Sequence, residues 1–214
     1  FVTGIHVSTS KNLKIGDWIG IPKYNIEGNI QDINLLTTKI VNFDKTISTI
    51  PTYDLLSTEI RNHQVMYEGS SRRIKRSIYF NIKSFKFVDD EFYEKVKDIN
   101  LISEYLDRKL REIAESKKNI PHAERIINGQ QLTNIGLFRN YVLNYLKNNP
   151  KVDQDEIVLV RQLEISPQGM PLEIYCFANK AELVDYERIQ ADIFDHILTA
   201  AQEFDLEIMQ VAKA

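Results

Sequence analysis

The pattern of hydrophobic and polar positions divides the chain into an early part of short strands and a later part that mixes strands with helices. Up to about position 63, runs rich in Ile, Thr and Val are separated by turn residues, a pattern typical of strands. These runs predict strands at 17–21, 28–35, 38–43, 46–50 and 59–63, with a tight turn at Asp44 and Lys45. Five short strands in so few residues predict a small β barrel.

The later part begins with apolar and polar residues in alternation, which predicts one long strand at 74–87. At 89–115, apolar residues recur at spacings of three and four, so this segment is predicted to be one helix with an apolar face. A polar loop follows at 116–132. Thr133 is placed to cap a second helix, which should end at the sequence Asn148-Asn149-Pro150.

Two strands, a helix and a final strand complete the later part. The strands are predicted at 156–165 and 172–177, on either side of a proline- and glycine-containing turn at 166–171. The last helix is predicted at 182–203 and the final strand at 206–211. The order strand, helical region, strand, strand, helix, strand is the ferredoxin-like pattern. The predicted fold class is therefore α+β, with a five-stranded β barrel followed by a ferredoxin-like α/β sandwich.

The composition is that of a folded protein, with 43% hydrophobic and 27% charged residues among 214. A formal net charge of −3 disfavours nucleic-acid binding, because such binding depends on neutralising phosphates. The only cysteine, Cys176, lies in a predicted strand and is interpreted as an apolar core residue rather than a nucleophile. No apolar run approaches the ~18 residues of a membrane-spanning helix, which predicts a soluble fragment. The apolar start without methionine predicts that it is cut from a longer protein.

Candidate chemistry is sparse. The histidines at 6, 63, 122 and 196 are scattered, and the pair Asp192 and His196 is interpreted as a local ion pair rather than half of a metal site. The glycines form no phosphate-binding or dinucleotide-binding loop. The acidic run at 89–91 is interpreted as a favourable helix start. The sequence therefore predicts no cofactor, no metal and no enzymatic activity.

Several segments of the early part form one recognisable set: Lys14-Ile-Gly-Asp-Trp18, Gly28-Asn-Ile-Gln-Asp-Ile-Asn-Leu35, Thr37-Thr38, Asp44-Lys45 and Ile50-Pro51, with Asn62 where the motif ends. Together, these segments resemble the small-conductance mechanosensitive channel family. The resemblance implies that the barrel is the Sm-like β domain of that family, at 14–67. The candidate motif residues are Gly16, Asp17, Gly28, Thr38, Asp44, Pro51, Thr52 and Asn62.

Further segments resemble the miniconductance branch of that family: 72–77, Thr133-Asn-Ile-Gly-Leu-Phe-Arg139, and Leu172-Glu-Ile-Tyr-Cys-Phe177. Most of the wider family has Pro-Asn where this chain has Pro51-Thr52, and the miniconductance branch shares that change. Whether Thr52 makes the contacts of the asparagine is left open by the sequence. The ferredoxin-like domain is expected at 68–214, with a helical insertion at about 89–131 that the smaller family members lack.

The resemblance also implies a place in a larger protein. Residues 1–13 would be the end of the pore-lining helix and a linker, with Phe1, Val2, Gly4 and Ile5 in the helix end. The partners would be copies of the chain itself, in a ring that is a heptamer in the family, and the lipid bilayer, through transmembrane helices that this chain lacks. The intact protein would be a multi-pass inner-membrane channel that opens under tension and releases ions and small solutes during hypo-osmotic stress. This fragment would lie on the cytoplasmic side.

Two other functions are weighed against the channel. A soluble Sm-like RNA-binding protein could use the basic cluster formed by Arg72, Arg73, Lys75 and Arg76. RNA-binding surfaces combine basic with stacking aromatic residues, and the sequence places no aromatic residue beside this cluster. It is therefore interpreted as a solvated interdomain link, or as charges that tune ion access. The third hypothesis is a small-molecule-sensing regulator built on the ferredoxin-like half.

Overall fold

A computed structural model describes residues 13–210, and the chain divides between Ser70 and Ser71 into two compact units. The described residues of the first unit form five strands and two short α-helices. The strands are β1 (Trp18–Ile21), β2 (Ile26–Ile33), β3 (Thr37–Asn42), β4 (Ile47–Pro51) and β5 (Arg61–Asn62), and the helices are α1 (Asp54–Ser57) and α2 (Gln64–Glu68). All five predicted strands are present, whereas neither short helix was predicted.

The strands of the first unit form one antiparallel sheet in the order β4-β3-β2-β1-β5. Among the described residues, its buried hydrophobic core consists of Leu and Ile side chains: Leu13, Ile19, Ile21, Ile30, Ile40, Ile50 and Leu55. Because strands from β1 to β4 contribute to this single core, the sheet must curve around it. This is the arrangement expected of the predicted small barrel. Between its two edges, β4 and β5, the described residues form no strand pairing.

The second unit is mixed α/β. Its strands are β6 (Arg72–Phe80), β7 (Leu159–Gln162) and β8 (Met170–Ala178), and its helices are α3 (Asp90–Val96), α4 (Asn100–Lys117), α5 (Asn134–Lys147) and α6 (Leu183–Ala200). The sheet order is β6-β8-β7, all antiparallel, and Ile208 adds an antiparallel bridge beside Phe80 at the free edge of β6. This is the ferredoxin-like order, so the predicted α+β class is confirmed.

The core of the second unit is larger and contains aromatic side chains. Phe138 of α5 is fully buried, and its ring packs edge-on against Phe80 of β6 at 5.6 Å and Phe204 at 5.4 Å between centroids. Thr133 caps α5 as predicted, since its Oγ1 accepts a hydrogen bond from the Gly136 N–H at 3.2 Å. The core therefore joins β6, the capped helix and the segment that follows α6.

The predicted long strand at 74–87 ends early, at Phe80. The Asn81 side chain accepts a hydrogen bond from the Lys83 N–H at 3.0 Å, and the Asn81 main-chain carbonyl accepts one from the Ser84 hydroxyl at 2.6 Å. These local bonds turn the chain into a short 3-10 helix at Ile82–Ser84. The alternation of apolar residues continues through this turn and hides the break.

The predicted helix at 89–115 is two helices, α3 and α4. The chain leaves helical geometry at Ile99, whose φ of −78° and ψ of 104° are extended. Val96 and Ile102, on either side of the break, are both fully buried. The apolar spacing of a bent pair matches that of one straight helix, so the pattern could not distinguish them.

The last predicted strand, at 206–211, is reduced to the bridge at Ile208, held by hydrogen bonds from Asn81 N to Glu207 O and from Met209 N to Tyr79 O. The predicted strands at 156–165 and 172–177 correspond to β7, which is shorter, and β8, which is longer. Between them, Gly169 has a φ of +110° in the predicted turn. Within residues 13–210, no helix combines the length and apolar character needed to span a membrane.

Candidate functional site

The turn that leads into β1 brings Gly16, Asp17 and Asn62 together. Gly16 has a φ of +96°, a conformation that glycine adopts without strain. This places the nearly buried Asp17 carboxylate where it accepts hydrogen bonds from the Lys14 N–H at 3.0 Å and the Asn62 side-chain amide at 3.3 Å. The Gly16 N–H also donates to the Ile30 carbonyl at 2.8 Å. The entry turn is therefore tied to both β2 and β5.

A second polar contact is fully buried and joins Thr38 of β3 to Thr52, which follows β4. Their hydroxyl oxygens lie 3.0 Å apart, and the Thr52 hydroxyl also lies 2.9 Å from the Asn34 carbonyl. A carbonyl can only accept, so Thr52 donates to Asn34 and Thr38 must donate to Thr52. The Thr52 N–H donates to the Leu36 carbonyl at 2.9 Å. Thr52 thus fixes the β2–β3 loop against the end of β4, and these are the contacts that the sequence left open.

The remaining motif residues lie apart from these contacts. A Cβ atom on Gly28 would stand 2.1 Å from the Val41 carbonyl oxygen, so only glycine fits where β2 passes β3. Asp44 lies in the β3–β4 turn, where the hydroxyl and N–H of Thr46 donate to its carboxylate and lower its pKa. Pro51 is exposed at the end of β4. Phe1, Val2, Gly4 and Ile5 lie outside the described residues.

The basic cluster is part of β6 rather than an interdomain link, and the expectation that no aromatic ring adjoins it is wrong. The Arg72 guanidinium lies 4.4 Å from the centre of the Tyr186 ring, and that of Arg76 lies 4.3 Å from the centre of the Phe194 ring. Since Tyr186 and Phe194 also belong to the core of the second unit, these rings pack the arginines onto α6. This packing does not favour the RNA-binding hypothesis.

The proposed ion pair between Asp192 and His196 is also wrong. Asp192 pairs with Lys151, at 2.7 Å between Oδ2 and Nζ. His196 instead stacks on the Tyr145 ring, at 4.1 Å between centroids and 7° between planes, and its Nε2 lies 2.7 Å from the Tyr141 hydroxyl. Aromatic neighbours on α5 therefore position this histidine, and they are not visible from the helical spacing of α6 alone.

Reactive groups are few in the part of the chain that the structure describes. Cys176 is fully buried in β8, and burial raises the pKa of its thiol to about 12, so the thiol stays protonated at neutral pH. Within residues 13–210, no three His, Cys, Asp or Glu side chains lie close enough together to hold a metal ion. The polar contacts of the first unit hold strands and turns in place.

Two family models match the chain. The mechanosensitive ion channel β-domain matches residues 1–65, and the C-terminal domain of the mechanosensitive ion channel MscS matches residues 103–208. The two matches lie in one chain, in this order, and together cover most of it.

Curated relatives and solved structures agree with these matches. The low conductance mechanosensitive channel YnaI of Escherichia coli K12 is 24% identical over 202 residues, which are 94% of this chain and 44% of that protein. The small-conductance mechanosensitive channel MscMJ of Methanocaldococcus jannaschii is 34% identical over 62 residues, 29% of this chain and 17% of that protein. This chain thus spans less than half the length of either relative.

Two solved structures share the fold at 15% identity, a level at which the likeness concerns the fold alone. The match to Arabidopsis thaliana MSL1 has a TM-score of 0.63 and covers 98% of this chain and 57% of the MSL1 chain. The match to Helicobacter pylori MscS in its closed state has a TM-score of 0.56 and covers 100% of this chain and 63% of the MscS chain.

Proposed function

Because this chain belongs to the small-conductance mechanosensitive ion channel family, we propose that it is the cytoplasmic part of a channel that opens under membrane tension. Such a channel would release ions and small solutes during hypo-osmotic stress. The observation that carries this proposal is that two models of mechanosensitive channel domains match this one chain, one after the other. The protein would act without enzymatic chemistry and without a cofactor.

We place the gate and the membrane-spanning helices in the remainder of the protein, since this chain covers only 44% of its E. coli relative. Residues 1–13 would be the end of the pore-lining helix and its linker. The intact protein would be a multi-pass protein of the inner membrane, with the two units on its cytoplasmic side. Tension would favour the state that occupies more membrane area, because a population shift needs an energy difference between the states.

In this proposal, the entry turn couples the pore helix to the β domain. A displacement of the chain before Leu13 would act on β2 through the bond from Gly16 N–H to Ile30 and on β5 through the bond from Asn62 to Asp17. The Thr38–Thr52 contact would keep the β2–β3 loop fixed against the end of β4. Thr52 also supports a place in the miniconductance branch.

We further propose that copies of the chain assemble into a ring, a heptamer as in the family, with no nucleic acid bound. The ring would form a cage below the pore. Native mass spectrometry of the purified protein measures the subunit number directly. A monomer at all concentrations of the full-length protein would contradict the ring.

Patch recording of the full-length protein under graded suction tests the channel function. We expect single-channel currents whose open probability rises with tension, and tension-independent current or no current would refute the proposal. Asn62→Ala removes the side-chain amide that donates a hydrogen bond to the Asp17 carboxylate. This variant should shift the tension at which half of the channels are open. Lys39→Ala, at an exposed position of β3 in the same unit, is the control, for which no shift is expected.

A further inference from the structure

A cleft in the second unit lies between α4, α5 and the segment that leads into α5. Tyr105, Lys109 and Ile113 line it from successive turns of α4, Gln130 and Gln131 from the connecting segment, and Arg139 from α5. Its volume is about 340 Å³, which is within the range of small-ligand sites. None of the motif residues of the first unit takes part in it.

The charged residues that line this cleft are all positive. Lys109 and Arg139 line it, whereas no Asp or Glu does. Within the described residues, the Arg139 guanidinium makes no ion pair or hydrogen bond, and Lys109 shares its acidic partner, Glu112, with Arg108. A chain with a net charge of −3 therefore carries a local positive excess at this position.

The hydrogen-bond donors available in the cleft are side chains. The backbone N–H groups at the start of α5 are already used: those of Gly136 and Leu137 donate to Thr133, and that of Asn134 donates to the Lys86 carbonyl. The side-chain amides of Gln130 and Gln131 have no hydrogen-bond partner within residues 13–210. A ligand would be held by a guanidinium, an ammonium and amides, which is a set suited to an anion.

We propose that this cleft binds a small multivalent anion of the phosphate or carboxylate class, which bridges α4 and α5. The planar guanidinium of Arg139 can donate two parallel hydrogen bonds to two oxygens of one phosphate or carboxylate group. Lys109 supplies the second positive charge from α4, and the glutamine amides donate to the remaining oxygens. The ligand would fix α4 against α5, and this role does not depend on the proposed channel function.

The test is a titration of the isotopically labelled 214-residue chain with inorganic phosphate, at constant pH and ionic strength, followed by NMR of the glutamine side-chain amides and arginine Nε–H groups. We expect saturable shifts at Gln130, Gln131 and Arg139. Arg139→Gln should weaken binding by about tenfold or more, since it removes a charge-assisted bidentate contact. Arg111→Gln, on the exposed side of α4, is the matched control and should bind like the natural chain.

Further arms of the same titration identify the ligand class. Succinate replaces phosphate to separate carboxylate from phosphate binding, and chloride measures the effect of charge alone. Lys109→Gln provides a second variant, with a smaller expected loss because Lys109 also contacts Glu112. Shifts that never saturate, or that persist unchanged in Arg139→Gln with its fold intact, would overturn the proposal.

Discussion

The first unit is built around seven buried Leu and Ile side chains among the described residues, whereas the second packs a larger core in which aromatic rings interlock. In the first unit, two polar contacts, Asp17 with Asn62 and Thr38 with Thr52, hold together strands and loops that share few apolar contacts. In the second unit, polar bonds also join distant segments, as at the buried Asn134 side chain, but they lie beside a much larger apolar core. A small core thus depends more on each buried hydrogen bond, since less apolar surface is removed from water.

The largest effect is expected from Phe138→Ala in the second unit. The change leaves a cavity between Phe80 and Phe204, and the free energy of unfolding should fall by about 3–5 kcal/mol. Urea unfolding, with hydrogen exchange of the β6 and β8 amides, measures the loss in this unit. Phe87→Ala, at a phenylalanine that is 38% exposed, is the control and should cost clearly less. Equal losses would show that the aromatic core does not hold the unit as argued.

An intermediate effect is expected from Thr52→Val in the first unit. It removes the acceptor of the buried Thr38 hydroxyl and the donor to the Asn34 carbonyl, so it should cost about 1–3 kcal/mol. Thr38→Val should cost less, because Thr52 still donates to Asn34. Hydrogen exchange of the β3 and β4 amides measures both losses.

The double variant sharpens the comparison. Thr38→Val with Thr52→Val leaves no unpaired hydroxyl, so its cost should not exceed that of Thr52→Val alone. Additive losses, or a larger loss for Thr38→Val, would contradict the direction of donation inferred from the geometry.

The smallest effect is expected at Asp205, which both Lys86 and Lys95 contact. The hydrogen bond from Lys86, followed by that from Lys95, lowers the pKa of this carboxyl group. Its stabilising contribution is therefore present above the unfolded pKa of about 3.9 and is lost as the pH falls through the folded value. Because the side chain is 39% exposed, the contribution should be at most about 1 kcal/mol.

Urea unfolding of the natural chain and of Asp205→Asn at pH 6 and pH 3 checks this dependence. Asparagine tolerates the positive φ of 51° at this position, so the change mainly removes charge. The difference between the two proteins should shrink at the lower pH. Asp195→Asn, at an exposed acid on α6, is the control. A difference that does not change with pH would contradict the role of the two lysines.

Local signals predicted much of the fold. The strands of the first unit, the Thr133 cap and the turn at Gly169 each depend on residues within a few positions of one another, and each is present. The end of β6 and the break before α4 were missed for the same reason in each case: the apolar period continues across the interruption. A period records which side chains face the core and does not record whether the backbone between them is continuous.

Contacts between distant positions could not be predicted from the residues. Asp17 and Asn62 are 45 positions apart, Thr38 and Thr52 are 14 apart, and His196 meets Tyr141 from another helix. The resemblance indicated the motif residues but gave no partner for any of them. Similarly, the cleft at Arg139 is formed by three segments whose proximity depends on how α4 packs on α5.

The burial of Cys176 allows local unfolding of β8 to be measured through the reactivity of its thiol. A thiol-specific reagent such as a maleimide can react only when β8 opens, because the sulfur is enclosed and protonated in the folded state. Since this is the only cysteine in the sequence, the labelling rate measures the opening frequency of one defined strand without any engineered probe.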